Sequence, residues 1–400
     1  LGGGSIGTSD WESTAGGESG HVVAHPADPD LVFGGSYGGY LTMRQHRTGQ
    51  RRNVTVWPDN PMGAGAEGMK YRFQWNFPLF FSPHGDPEAP VDSPESHALY
   101  AASNVLFRST DLGQSWTQIS PDLTRNDPTR LVSSGGPITK DNTGVEYYCT
   151  IFAAFEHPLQ KGVIWCGSDD GRVHVSVDDG GSWDDVTPSG LPEWTQINDM
   201  IPDPFTSGGA YLAGTRYKLD DFSPYLYHTT DFGRTWRDIS GGIDGQHFTR
   251  SIEADTERRG LLFAGTERGL YVSMDNGDSW SSFQLDLPVV PVTDLAITQN
   301  DLVLATQGRG FWVLDELTPL RQLVPSAHAG ASVLFTPEPA TRAAGGRGRR
   351  GGGGGAGANP AFGLTIDYLL GSETKDVSLT IKNFDGDVVR TFVPKGQGEK

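Results

Sequence analysis

The chain lacks most of what marks a helical, membrane-spanning or disulfide-stapled protein. Its 400 residues include two cysteines, too few for a disulfide framework. Cys149 and Cys166 flank an expected hairpin at 157–158 and read as two buried thiols, which leaves the redox compartment open. No apolar run approaches the ~20 residues that span a bilayer. No long segment repeats apolar residues at i, i+3, i+4 and i+7, so helix is marginal. Charged residues make up only 20%, and 31 basic against 49 acidic side chains give a net charge of −18. Such a surface repels phosphate backbones and argues against nucleic-acid binding as the main role. Residues 1–5 have no basic or apolar region of a signal peptide, and this glycine-rich opening reads as part of a longer protein.

Catalytic and metal signatures are also scarce. The ten histidines are scattered, and the cysteines form no Cys-x-x-Cys pair. Acidic turns at 169–171 and 178–180 lack the spacing and final Glu of a calcium loop. There is no nucleophile elbow and no phosphate loop. Neither a metal nor a cofactor is expected.

Glycine (54), proline (26), tryptophan (10) and tyrosine (12) are abundant, a mix that suggests many short strands joined by turns. Comparing the chain with itself gives the main result. An eight-residue box, [Ser/Thr]-x-Asp-x-Gly-x-[Ser/Thr]-Trp, occurs at 109–116, 176–183, 229–236 and 273–280. Its fixed members are Asp111, Gly113 and Trp116; Asp178, Gly180 and Trp183; Asp231, Gly233 and Trp236; and Asp275, Gly277 and Trp280. An Asp followed two residues later by Gly predicts a tight hairpin, with the carboxylate accepting turn N–H groups and Gly supplying positive φ. The Trp is expected to open the next strand and pack beneath the turn. This is a folding device, since identical copies on successive units make a poor asymmetric active centre.

Upstream of each box lies a strand–glycine turn–strand element, as at 163–175, 261–272 and 31–41, with a further strand before it. The pattern predicts six units at about 6–60, 72–122, 145–190, 195–242, 247–290 and 291–316, each nominally of four strands. Four-stranded units of roughly 40–50 residues mark an all-β, multi-bladed β-propeller. The first and sixth units lack the box. A propeller is therefore expected over 1–325. A Pro/Gly/Arg-rich linker is expected over 326–359, where the near-pure glycine of 343–359 cannot bury a core. Residues 360–400 alternate like the opening hairpins of a β-sandwich, truncated at Lys400.

The boxes resemble those of bacterial-neuraminidase-repeat propellers, a group that includes sialidases, two-propeller xyloglucanases and sortilin-type ectodomains. Segments 72–76, 106–124, 214–221 and 308–315 are closer still to large bacterial proteins with sortilin-like repeats, often labelled glycosyl hydrolases. The resemblance covers residues 1 to about 325. It implies a secreted, periplasmic or cell-surface setting and further N-terminal repeats. It implies no settled activity, because fold does not carry function.

Propeller ligands sit where inner strands begin, away from the box turns. The strand pattern places Asp10, Trp11, Trp75, Asn76, Glu146, Tyr147, Gln196, Asp199, Arg216, Lys218, Asp220, Asp221, His247, Arg250, Gln307 and Arg309 near that mouth. Trp11, Trp75, Tyr147, Arg216, Arg250 and Arg309 are the ligand-binding candidates. Asp10, Glu146, Asp199 and Asp221 are the acids available to a glycosidase pair, which requires two carboxyls at a set separation. In a chain with 49 acidic residues, loop caps and surface acids account for them more simply than any catalytic pair. An arginine trio with Tyr147 can be set in sialidase roles, but no sialidase-type Phe/Arg-Ile-Pro segment or xyloglucanase acid context is present. Two readings stand: a recognition or scaffold propeller for protein, peptide or glycan, and a glycoside hydrolase with acids at the channel mouth.

Overall fold

The computed structural model describes residues 11–59, 65–133, 135, 138–140, 147–324, 330–340, 363–371 and 377–393. It divides into two compact units, one over residues 7–314 and one that takes in residue 315 onward.

The first unit is a six-bladed β-propeller. Blade 1 is β1 (Val22–His25), β2 (Asp28–Gly35), β3 (Leu41–Gln45) and β4 (Gln50–Asn53). Blade 2 is β5 (Leu79–Phe81), β6 (Leu99–Ala102), β7 (Leu106–Ser109) and β8 (Thr117–Gln118). Blade 3 comprises β9 (Ile151–Glu156), β10 (Ile164–Ser168), β11 (Val173–Ser176) and β12 (Asp184–Asp185). Blade 4 holds β13 (Gln196–Pro202), β14 (Ala210–Arg216), β15 (Asp221–Thr229) and β16 (Arg237–Asp238). Blade 5 follows with β17 (Thr249–Ala254), β18 (Leu262–Thr266), β19 (Gly269–Ser273) and β20 (Ser281–Ser282). Blade 6 has three strands, β21 (Val292–Thr298), β22 (Asp301–Thr306) and β23 (Gly310–Leu314). Every blade is an antiparallel meander in chain order, as the six expected units require.

The period of two along each strand sends alternate side chains into two different cores. On β10, Ile164 and Cys166 join Tyr100 and Leu106 of blade 2, while Trp165 between them joins Ile197 and Leu212 of blade 4. On β14, Leu212 faces blade 3, whereas Tyr211 and Ala213 pack with Ile252 and Ala264 of blade 5. Central blades therefore read as nearly continuous apolar runs, with β10 and β19 buried at every position. The outer strands β8, β12, β16 and β20 are two exposed residues each. Cys149 and Cys166 are free and buried, as expected.

The box turns have the hydrogen bonds expected of them. Asp111 accepts from the Ser115 N–H at 2.8 Å and the Ser115 hydroxyl at 2.6 Å, while the Gly113 N–H donates to Ser109 Oγ at 2.8 Å. The same set recurs around Asp178, Asp231 and Asp275. Burial would raise Asp111, Asp231 and Asp275, but these bonds outweigh it and hold the carboxyls below their usual range. At Asp178 the Ser182 bonds lead and have the same effect.

The tryptophan does more than pack beneath its own turn. Each box indole N–H donates to the carbonyl of the residue that follows the outer strand of the preceding blade. Trp116 reaches Val54, Trp183 Ile119, Trp236 Val186 and Trp280 Ile239, at 2.6–3.0 Å. The box glycine makes that approach possible. Its φ lies between 76° and 88°, and a Cβ on Gly233 or Gly277 would come within 2.7 Å of Val186 or Ile239. Each box is thus a clamp between blades.

The second unit contains one short helix, α1 (Thr318–Gln322), and two antiparallel pairs. One joins β24 (Val333–Leu334) to β25 (Tyr368–Leu369); the other joins β26 (Leu379–Lys382) to β27 (Val388–Phe392). Residues 315–324, expected within the propeller, belong here, and β24 falls inside the expected linker because it pairs with β25. The glycine-rich stretch 343–359 lies outside the described residues.

Candidate ligand site at the channel mouth

In a four-stranded meander, the start of the inner strand and the turn between second and third strands share one end. The box turns share the other. The four boxes therefore lie opposite the face on which the inner strands begin.

A cleft of about 300 Å³ opens on that inner-strand face, over blades 3 and 4. It is built from the segment entering β9 (Tyr148), the β10–β11 turn (Asp169), Trp194 before β13 and Gln196 at its start, Thr215 and Arg216 at the end of β14, and residues 217–219 before β15. Arg130 completes the wall. Trp194 has φ +63°, a left-handed conformation that costs a non-glycine residue of order 1–3 kcal/mol and is held only by its surroundings. Thr195 supplies part of that hold, bonding back to the Pro192 carbonyl through its hydroxyl at 2.7 Å. The Trp194 ring stacks on Tyr148 at 6.0 Å, with the guanidinium groups of Arg125 and Arg130 at 4.8 and 5.4 Å from its centroid. At the base, Thr215 is 2% exposed, and its hydroxyl has no hydrogen-bond partner. A buried hydroxyl normally finds a partner, and this one has none. Asp169 is buried beside it, accepting from the N–H and hydroxyl of Thr150 at 2.9 and 2.8 Å. Burial, and then the charge of Asp170, push its carboxyl up to about 8, against the Thr150 bonds that favour the charged form.

The central channel, about 430 Å³, is lined by all six blades, from His21 and Asn76 through Phe152, Asp199 and Arg250 to Asp294. Asp199 and Asp294 lie in its wall, and Glu253, on the inner strand between theirs, interacts with both. Burial, then Asp294, push Asp199 up to about 7. Burial, then Asp199, push Glu253 up to about 8. Asp294 is raised by burial, with His21 opposing the shift. A carboxyl whose pKa is higher folded than unfolded carries more proton in the folded state between the two values, so stability falls as pH rises through that interval. These carboxyls are therefore expected to cost stability as pH rises from 5 to 8.5, while His21, His25, His157 and His174, lowered by burial, act in the opposite sense. Thermal unfolding of the native chain and of Glu253→Gln tests it: the variant should gain stability relative to the native chain as pH rises, and a constant difference between the two would refute the coupling.

The structure distributes the expected site residues unevenly. Arg216, Lys218 and Gln196 line the cleft, and Asp199, Asn76 and Arg250 line the channel. Arg216 is bonded to Asp221 at 3.2 Å and to the Glu193 carbonyl at 3.0 Å. Arg250 pairs with Glu267 at 2.6 Å and lies over Tyr217 and Phe248. Asp221 accepts from the Tyr225 hydroxyl at 2.6 Å and the Ser223 N–H at 3.1 Å. Burial would raise it, but these bonds win and hold it low, which suits a fixed anion and not a general acid. Tyr147 is 5% exposed and packed with Leu131 and Cys149, and burial pushes its phenol up to about 12; its neighbour Tyr148 faces the cleft. Trp75 lies against Tyr37 at 6.2 Å. Trp11 is 69% exposed, Arg309 donates to the Gly308 carbonyl and its own carbonyl accepts the Trp312 indole N–H, and His247 bonds the Tyr271 hydroxyl at 2.9 Å. Asp10 and Glu146 lie outside the described residues.

No group of three metal-binding side chains occurs among the described residues. His21 and His25, four apart, stand at the two ends of a strand segment; His25 is buried beside Phe81 and Ser96. Sequence reading missed Trp194, Tyr148, Arg130 and Thr215. For Trp194 a signal existed, since Trp11, Trp75 and Trp194 all occupy the segment before an inner strand.

No protein-family model matches the chain, and no curated protein matches it in sequence. Among solved structures it is similar to the GH74 xyloglucanase from Xanthomonas campestris, at 20% identity and a TM-score of 0.47 over 75% of this chain and 46% of that one. An ancestral GH74 enzyme matches at 16% identity and a TM-score of 0.44, over 85% of this chain and 40% of that one. YCF48 bound to D1 peptide matches at 16% identity and a TM-score of 0.45, over 74% of this chain and 81% of that one. The chain thus spans less than half the length of either GH74 enzyme. Likeness at this level carries no residue roles across.

Proposed function

We propose that this propeller is a recognition module that binds a peptide, protein or glycan on the inner-strand face, in the cleft beside Trp194. The observation that supports it best is the buried, unpartnered hydroxyl of Thr215 at the base of an aromatic-walled cleft. Ligand sites combine such apolar walls with a few convergent polar groups. The strained Trp194 backbone supports the same placement, since strain of this kind collects at ligand clamps.

The hydrolase reading has less support. Of its four acids, Asp221 is tied down by three donors, and Asp199 accepts the Ile252 N–H inside the carboxyl cluster. No helix of the described residues is long and apolar enough to cross a membrane. We place the protein outside the cytoplasm, on the sequence resemblance alone.

The test is an array of glycans and peptides presented to the 400-residue chain, with Trp194→Leu in parallel. Retention of a member by the native chain and at least tenfold weaker retention by the variant is expected. Turnover of any glycan, lost in Asp199→Asn, would replace the recognition reading with the hydrolase one.

A further inference from the structure

The Trp194 cleft gathers cations in an acidic chain. In a protein of net charge −18, its wall holds Arg130, Arg216 and Lys218, with Arg125 behind Trp194. Arg216 is balanced by Asp221 at 3.2 Å and Arg125 by Glu193 at 3.4 Å. Arg130 and Lys218 have no carboxylate at ion-pair distance among the described residues; Lys218 donates to Gln196 at 3.1 Å instead. Trp194 aligns the Arg130 guanidinium by cation–π contact. The one acid lining the cleft, Asp169, is already engaged with Thr150.

The remaining groups are hydroxyl partners. Thr215 Oγ1 is buried and unpaired. The phenol hydroxyls of Tyr148 and Tyr217, both in the wall, have no hydrogen-bond partner among the described residues. The volume is at the lower end of ligand clefts, which suits one or two sugar units. The cleft is walled by turns and by segments entering inner strands, which disfavours a peptide that adds as an extra strand.

We propose that the cleft binds a hexuronate unit of an acidic polysaccharide, its carboxylate between Arg130 and Lys218 and its ring hydroxyls on Thr215, Tyr148 and Tyr217. This rests on the reading of the cleft as a recognition site and names its ligand class. The two cations, unmatched among the described residues, select the carboxylate, and the orphan hydroxyl favours a ligand that offers it a partner, because a buried polar group left unpaired is costly.

The experiment titrates the 400-residue chain with trigalacturonate, with its carboxyl-reduced neutral counterpart, and with short peptides ending in a free carboxylate, following tryptophan fluorescence and calorimetry. Trigalacturonate is expected to bind at least tenfold more tightly than the neutral trimer, and more weakly as salt rises. Lys218→Met, with an unchanged melting temperature, and Thr215→Val, with one unchanged or raised because the unpaired buried hydroxyl is gone, are each expected to weaken it about tenfold. Equal binding of the neutral trimer, or tighter binding of the peptides, would overturn the uronate assignment while leaving the recognition reading in place. If none of the three probes binds and the broader array retains nothing, both readings fail together.

Discussion

Replacing Arg72 with alanine is expected to destabilise the propeller by about 3–5 kcal/mol, the cost of breaking a buried ion pair by removing one partner. Arg72 is 4% exposed. Its guanidinium donates to Asp122 at 2.8 Å, to Thr124 at 3.2 Å and to the Cys149 carbonyl at 3.0 Å. One side chain thereby ties the entry of blade 2 to its exit and to the entry of blade 3. Asn104 joins the same knot, accepting the Arg72 N–H and donating to Asp122. Arg72→Lys keeps the charge but loses the fork that serves three acceptors at once, so it should recover only part of the stability. Arg72→Met with Asp122→Leu removes both charges and should cost less than the single alanine change. Urea unfolding measures all three, and a loss below about 1 kcal/mol for Arg72→Ala would show that the knot is not a structural support.

Trp280→Ala should cost a similar amount, about 3–5 kcal/mol, because it deletes a large buried ring and leaves a cavity. Trp280 is the most buried of the box tryptophans, packed with Tyr211, Ile239 and Ile252 across the junction of blades 4 and 5. Trp280→Phe keeps most of the packing but leaves the Ile239 carbonyl without its donor, and should lose about 1–3 kcal/mol. Trp11→Ala, at an exposed position, should stay within about 0.5 kcal/mol of the native chain. If Trp280→Ala were as mild as Trp11→Ala, the clamp would be ornamental and junction strength would reside in the strands alone.

The architecture was legible because it repeats. Fixed spacing of Asp, Gly and Trp located the hairpins, and alternation located the strands to within a few residues. The partner of each Trp was not legible, since the acceptor carbonyl lies some 40 to 65 residues away on a neighbouring blade. The mouth was half legible. Arg216, Lys218 and Gln196 follow from strand polarity alone, whereas Tyr147 and Tyr148 exchange roles because the left-handed Cys149, φ +61°, turns the chain just before β9. The vacancy at Thr215 could not be read at all, since it depends on which groups fail to reach it. The cluster of Asp199, Glu253 and Asp294 was hidden for a related reason: three acids on three separate strands meet only once the blades close around an axis.

The clamps also have a direction in time. Every box tryptophan reaches back to the blade made before it and none reaches forward. A chain leaving the ribosome from its N-terminus therefore has each clamp's acceptor already synthesised when the tryptophan emerges. Blades with this contact scheme add one at a time onto a finished edge, as repeat arrays propagate. Blade 6 has no box of its own and so adds no clamp of this kind, and Phe311 and Val313 on β23 are exposed.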